Sequence, residues 1–185
     1  MKPQGPIILL SLIAVGTVLA YLSEKTLPLG FGVTALWLGI VVTANGSIWF
    51  GGWGVLAGVL FPVLAGQLQG LDLDDSLLAV LPNLLAGFIP ALAFRRAGVD
   101  PALHDRRSVA AYGIWAVAAP SLASGVLAAL SWWLAGKADL TAVFFIAFDW
   151  SLSNMVVLAV LGIPAAYALT PVFRRHGWLV RGWWR

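Results

Sequence analysis

The residue whose chemistry most needs explaining is Asp149. It stands in FDWSLSN (148–154), inside an apolar run from about Ala142 to Leu169, with no basic residue nearby in sequence to neutralise it. A charged side chain near a bilayer centre costs about 2.5–3.5 kcal/mol on insertion scales, and such residues face bundle interiors or watery cavities where they serve function. At about 100° per residue on a helix, Asp149, Trp150, Ser153 and Asn154 share an arc of roughly 140°. Phe148, Leu152 and Met155 lie largely opposite, and Ser151 lies near the border. Counted at 1.5 Å per residue from a helix start at 140–142, Asp149 lies roughly 10–13 Å inside the membrane.

Other segments bring polar and aromatic groups to a similar depth. Asn83 follows Pro82 in PNLLAG, Gln67 and Gln69 close the third apolar segment, and Trp37, Trp132 and Trp133 stand near the corresponding ends of theirs. The expected substrate-binding set is Asp149, Trp150, Ser153, Asn154, Asn83, Gln67, Trp132 and Trp133. One carboxylate, amide groups and aromatic walls suit a small, flat, polar ligand, including one with a positive or protonatable nitrogen. The carboxyl would accept hydrogen bonds when ionised and donate one when neutral. Blander roles stand beside this one. Asn83 and Asn154 fit interhelical hydrogen bonds, worth ~0.6 kcal/mol on average; the tryptophans fit interfacial anchors; Gln67 and Gln69 are shallow enough to be solvated. Asn45 is expected to make a helix–helix contact.

Catalytic chemistry finds few residues. The histidines, His104 and His176, fall in connectors, so no intramembrane Ser–His pair is available. LASG (122–125) faintly resembles a membrane-protease serine motif but lacks the leading glycine and a histidine partner. No GxxxxGK[ST] phosphate loop occurs. Absence of cysteine removes disulfides, zinc–thiolate sites and thiol nucleophiles. The two histidines and Asp105 lack metal-ligand spacing. No enzyme activity, metal or cofactor is expected.

The elements that must position these residues are set by composition. The chain is 61% hydrophobic and 10% charged, with a mean hydropathy of +0.91, far from the roughly 45–50% apolar and 25% charged of soluble domains. This predicts an all-α integral membrane protein, a single domain over residues 1–185. Six helical segments are expected, at about 5–22, 32–49, 51–69, 77–94, 108–135 and 142–173, because a span needs roughly 20 apolar residues. Continuous runs favour helices over the alternating strands of a barrel. WFGGWG (49–54) is read as a tight hairpin whose tryptophans suit a headgroup-level belt.

Lys2, Arg95, Arg96, Arg106, Arg107, Arg174, Arg175, Arg181 and Arg185 fall on one side of this arrangement and only Lys25 and Lys137 on the other. This bias predicts cytoplasmic N- and C-termini and explains the sequence pI of 9.7 without nucleic acid. The four arginines at 95, 96, 106 and 107 read as topology signals and lipid-headgroup contacts, with docking of a cytoplasmic partner as the alternative. The first segment is also readable as a cleaved signal peptide, which would leave five spans in the same orientation. No connector is long enough to fold as a soluble domain, and no internal repeat is visible.

Gly54 and Gly58 form a GxxxG pair, Ala119 and Ala123 an AxxxA pair, and Gly16 and Ala20 a weaker one, all marks of close helix packing. Pro62, Pro82, Pro90, Pro120 and Pro164 fall inside segments, where kinks open room for a cavity.

The ensemble resembles the substrate-binding S component of energy-coupling-factor transporters for vitamins and other micronutrients. WFGGWGVLAGVLFPVLAGQL (49–68) is similar to the glycine-rich pair of segments after the second helix. LPNLLAGFIPALAFRR (81–96) is similar to the fourth helix with its basic end, and SNMVVLAVLGIPAAYALTPVFRRHG (153–177) to the closing helix. The resemblance implies a non-enzymatic subunit of a bacterial or archaeal inner membrane that takes a small-molecule substrate from the outer face. It also implies partners: a transmembrane coupling subunit carrying two cytoplasmic ATPases, against which the subunit topples among the membrane lipids. Asp149, Trp150, Ser153, Asn154 and Asn83 fall where the family's pocket would be. The family's first helix often carries AxxxA-type alanines that contact the coupling subunit; here only Gly16 and Ala20 are available. The run from FDWSLSN to TPVF also resembles the end of bacterial membrane sensor modules, which have more helices and a cytoplasmic output domain. A third reading is a structural membrane subunit whose polar residues only hold its bundle together.

Overall fold

The computed structural model describes residues 4–26, 28–30, 33–34, 36–180 and 182–184. These are helical almost throughout. Among the described residues, four helical stretches are long and apolar enough to cross a membrane: Gln4–Ser23, Leu73–Ala97, Arg106–Leu134 and Leu140–Arg175. The first belongs to helix α1 (Gln4–Thr26). A minimal antiparallel pair follows, β1 (Pro28–Gly30) with β2 (Val33–Thr34).

Two shorter apolar helices form the next hairpin, α2 (Gly39–Phe50) and α3 (Gly52–Leu68). The second segment was expected to be helical from residue 32, a position outside the described residues. Instead the chain pairs as strands through Thr34 and becomes helical only at Gly39. At 1.5 Å per residue, α2 is about 18 Å long, short of a 30 Å hydrocarbon core. Eleven of its twelve residues are buried, so it is a core helix wrapped by the longer ones. Between α2 and α3, Gly51 takes φ 63°, a conformation that suits glycine. A β-carbon at Gly51 would also meet the Trp183 carbonyl at 2.6 Å. Behind the turn, Gly54 lies against the Gly46 backbone and Gly58 against the Thr43 side chain, so GxxxG serves the α2–α3 contact.

The remaining spans are interrupted. α4 (Leu73–Leu78) and α5 (Val80–Ala97) meet at Ala79. α6 (Arg106–Tyr112) runs through a π-helical turn, Gly113–Ala118, into α7 (Ala119–Leu134). α8 (Leu140–Val157) runs through a second π-turn, Leu158–Gly162, into α9 (Ile163–Arg175). Each π-turn precedes a proline, Pro120 or Pro164, which lacks the N–H that the regular ladder needs. The two π-turns pack together. Beside them Tyr112 Oη donates to Asn45 Oδ1 at 2.7 Å, and Asn45 Nδ2 donates to the Gly162 carbonyl at 2.9 Å. Asn45 makes the helix–helix contact expected of it, and does so at a carbonyl of the π-turn.

Charges gather at two opposite ends. At one end Lys137 pairs with Asp75, and the Asp139 carboxylate caps α8 by accepting from Ala142 N–H. The hydrogen bond to Asp75 holds the Lys137 ammonium above its ordinary pKa. At the other end Asp100 bonds Arg174 and His104, while Asp105 caps α6 through the Ser108 N–H and hydroxyl. Those two bonds from Ser108 hold the Asp105 carboxyl below its usual range.

Arg95 corrects its expected role as a headgroup contact. It turns inward, where Nη1 donates to the carbonyls of Ser47 and Ala91 at 3.1 and 3.0 Å, Nη2 to those of Ile48 and Val180, and Nε to that of Gly182. The physical reason is the C-terminus of α2, whose last carbonyls lack helical partners and carry partial negative charge. The guanidinium also lies 5.3 Å over the Trp183 ring. The expected tryptophan belt is corrected with it. Trp49 is buried and donates Nε1–H to Thr170 Oγ1 at 2.8 Å, and Trp53 packs edge-on to Trp184. Thr170 of α9 thus satisfies the Trp49 indole, while the chain end, folded back over this turn, accepts the Trp53 Nε1–H at the Trp184 carbonyl, 3.4 Å away.

Candidate functional site

The polar residues of α8 do not stand alone. Trp150 lies between two other indoles, with ring centroids 6.3 Å from Trp37 and 6.3 Å from Trp132. Trp37 precedes α2 and stacks on Phe61 of α3. Trp132, near the end of α7, is buried against Ile146 of α8, with Leu78 and Ala79 at the α4–α5 junction packed against the same cluster. Three indoles from three parts of the chain thus make one layer.

A second layer lies one helical turn deeper. Ser153 and Asn154 follow Asp149 and Trp150 by four residues, so each pair shares a face of α8. The Ser153 hydroxyl accepts the Trp37 backbone N–H at 3.1 Å. Ser23 of α1 accepts the next N–H, that of Leu38, at 2.9 Å. These hydroxyls satisfy two of the donors left unpaired where α2 begins. Asn83 sits one turn beyond Ala79 on α5 and donates Nδ2–H back to the Ala79 carbonyl at 2.9 Å. Asn83 and Asn154 are 1% and 2% exposed, so neither side chain reaches bulk solvent.

These two layers carry polar atoms with nothing to bond to. Asp149 Oδ2, Trp150 Nε1, Asn154 Nδ2 and Asn83 Oδ1 are all buried and without a hydrogen-bond partner among the described residues. Leaving a buried donor or acceptor unsatisfied costs about 1–3 kcal/mol each. Inside a bilayer no solvent lipid can supply the missing bond. Three of these atoms lie on adjacent turns of α8 and the fourth on α5, and each is a polar contact that the described residues do not make. The four comprise two acceptors and two donors.

Of the expected site residues, Asp149, Trp150, Ser153 and Asn154 share the polar face of α8 and Trp132 packs beside Trp150, while Asn83 stands on α5 one turn beyond Ala79, which packs against the same cluster. Two stand apart from these. Gln67 is exposed and donates Nε2–H to the Leu71 carbonyl at 3.1 Å and to Ser76 Oγ at 3.0 Å. It fastens the turn that follows α3, because that helix ends at Leu68, one residue after it. Trp133 is 46% exposed; one residue past Trp132 turns its side chain about 100° away from the indole layer. Phe148 and Leu152 are exposed on the opposite side of α8, as periodicity predicts. Ser151, the border residue, is buried and donates to the Ala147 and Ser121 carbonyls at 2.7 and 3.2 Å, joining α8 to α7.

Reading the sequence missed Ser23 and Ser121. The Ser121 hydroxyl is another buried group without a partner among the described residues, and nothing in LASG-flanking sequence separates it from a packing serine. A distinct groove of 630 Å³, almost wholly apolar, runs between α1, α2 and α9 past Ile8, Leu12, Val42, Leu169 and Phe173.

No family model, curated protein or solved structure matches this chain.

Proposed function

We propose that this chain is the membrane-embedded substrate-binding subunit of an ATP-driven importer of the energy-coupling-factor type, capturing a small polar molecule. One observation carries the reading: buried polar atoms of Asp149, Trp150 and Asn154 on α8, beside a layer of three indoles, and of Asn83 on α5, have no partner among the described residues. A bundle held together only by its polar residues would pair these groups with one another. A receptor leaves them for its ligand.

Orientation follows from the arginines. With the end bearing Arg96, Arg107 and Arg175 in the cytoplasm, the α2–α3 hairpin completes a six-helix bundle with both termini inside, in a cell membrane of a bacterium or archaeon. The indole layer then lies toward the outer face. Coupling to a transmembrane partner and its ATPases would use a surface other than the small residues of α1. Ala20 is fully buried, and a β-carbon at Gly16 would meet Phe61 at 2.5 Å. Those residues pack α1 on α3.

A thermal-shift screen of the purified protein against water-soluble vitamins and their precursors tests this. A ligand at 100 times its dissociation constant adds about 2.7 kcal/mol of stability. No hit from a sample with a sharp unliganded melt would count against capture.

A further inference from the structure

The charges around the two layers point to the class of ligand, a deduction that rests on the capture reading above. We infer that the site selects a planar ligand carrying a positive or protonated nitrogen and rejects anions of the same shape.

Asp149 is the ionisable group of these layers, and it makes no ion pair among the described residues. The described arginine, lysine and histidine side chains all stand at the helix ends or in connectors. No residue from 26 to 94 is Lys, Arg or His, and between 108 and 173 only Lys137 is; it is engaged with Asp75. An anionic ligand would therefore face a carboxylate with no cation to offset it. In a low-dielectric site that opposition is large.

One feature could have reversed this. α2 begins within the bundle, and the N-terminus of such a broken helix favours negative groups. Here the Trp37 and Leu38 N–H groups are taken by the hydroxyls of Ser153 and Ser23, and those of Ile40 and Val41 by the Trp37 and Leu38 carbonyls. Those donors are not free for a ligand carboxylate or phosphate. The three indoles add to the preference, since their faces attract cations and stack on flat rings.

The experiment ranks binding by charge, with 1-methylnicotinamide, nicotinamide and nicotinate as the set matched in size. Thermal shifts and equilibrium titrations are run with thiamine and 1-methylnicotinamide as cations, nicotinamide and riboflavin as neutral probes, and nicotinate, biotin and pantothenate as anions. Wild type, Asp149→Asn and Asp149→Glu are compared. The expected result is a cationic binder that weakens by at least about tenfold in Asp149→Asn and is retained in Asp149→Glu. Anionic or neutral binders indifferent to Asp149→Asn would overturn the charge assignment and leave capture standing. No binder in any class, from protein with a sharp unliganded melt, would overturn both.

Discussion

The Trp37 backbone N–H donates to the Ser153 hydroxyl at 3.1 Å, across 116 positions of sequence. This bond fixes the start of the short helix α2 against the helix that carries Asp149. It also sets Trp37 beside Trp150. The broken second segment and the polar face of α8 are thus parts of one arrangement. Ser153→Ala is expected to free a buried N–H and cost about 1–3 kcal/mol. Ser153→Thr, which keeps the hydroxyl, should cost less. Thermal unfolding in detergent compares the two, and equal losses would show that the bond is not what matters.

Tyr112 and Asn45 hold the two π-turns together. Tyr112→Phe removes the donor and leaves Asn45 Oδ1 unsatisfied at a site where Tyr112 is fully buried. The expected loss is about 1–3 kcal/mol. A double-mutant cycle with Asn45→Leu should give a coupling of roughly 0.5–3 kcal/mol. Additive losses would show the pair to be independent.

Packing of α2 on α3 predicts opposite outcomes at two glycines. A β-carbon at Gly54 would overlap the Gly46 carbonyl, whereas Gly113 has open space around its own. Gly54→Ala should therefore cost about 1–3 kcal/mol through overpacking. Gly113→Ala should be neutral or gain about 0.5–1 kcal/mol, because alanine loses less backbone freedom in a helix. Melting temperatures of the two variants check the contrast.

Arg95 ties the end of α2 to the chain's last residues through its fan of donors. Arg95→Ala should speed hydrogen exchange and proteolysis in residues 178–184. Arg95→Lys should rescue this only in part, since a lysine ammonium is a point donor and cannot reproduce the planar fork. Unchanged protection in both variants would place the hold on the tail in its aromatic contacts alone.

The Asp100 carboxyl gives a pH dependence. Burial pushes it up, but hydrogen bonds from Ala102 N–H, Arg174 and His104, with the Arg174 charge, bring it below its ordinary range. A depressed carboxyl stabilises the fold fully above the unfolded-state pKa of about 3.9, and that contribution is lost as pH falls through the lower folded value. For a partly exposed pair the effect is about 1 kcal/mol or less. Melting curves of wild type and Arg174→Gln should differ near neutral pH and converge in acid. Curves that stay parallel would show that the ion pair is not the source.

What was legible in the sequence followed from periodicity and composition. One helical arc placed Asp149 and Trp150 with Ser153 and Asn154 one turn deeper, and their exposed opposites were as readily read. Glycines announced the α2–α3 turn. The start of α2 was hidden because apolar residues run on through the preceding strand pair, where hydrophobicity cannot tell strand from helix. Gln67 and Trp133 were assigned by depth alone; depth does not say which way a side chain turns near a helix end. Arg95 was opaque for a further reason. Its partners are backbone carbonyls of Ser47, Ile48, Val180 and Gly182, and carbonyls leave no mark in a sequence.

The central claim is that the unpartnered polar layer exists for a ligand and not for the bundle. Asp149→Leu tests it in one preparation, by measuring the unliganded melting temperature and the shift given by the best ligand of the screen. Replacing an unpaired buried polar group with an apolar one should leave the unliganded protein as stable or more so. The ligand shift should vanish. An unliganded protein that loses stability while its ligand shift is intact would contradict the account and make Asp149 part of the scaffold.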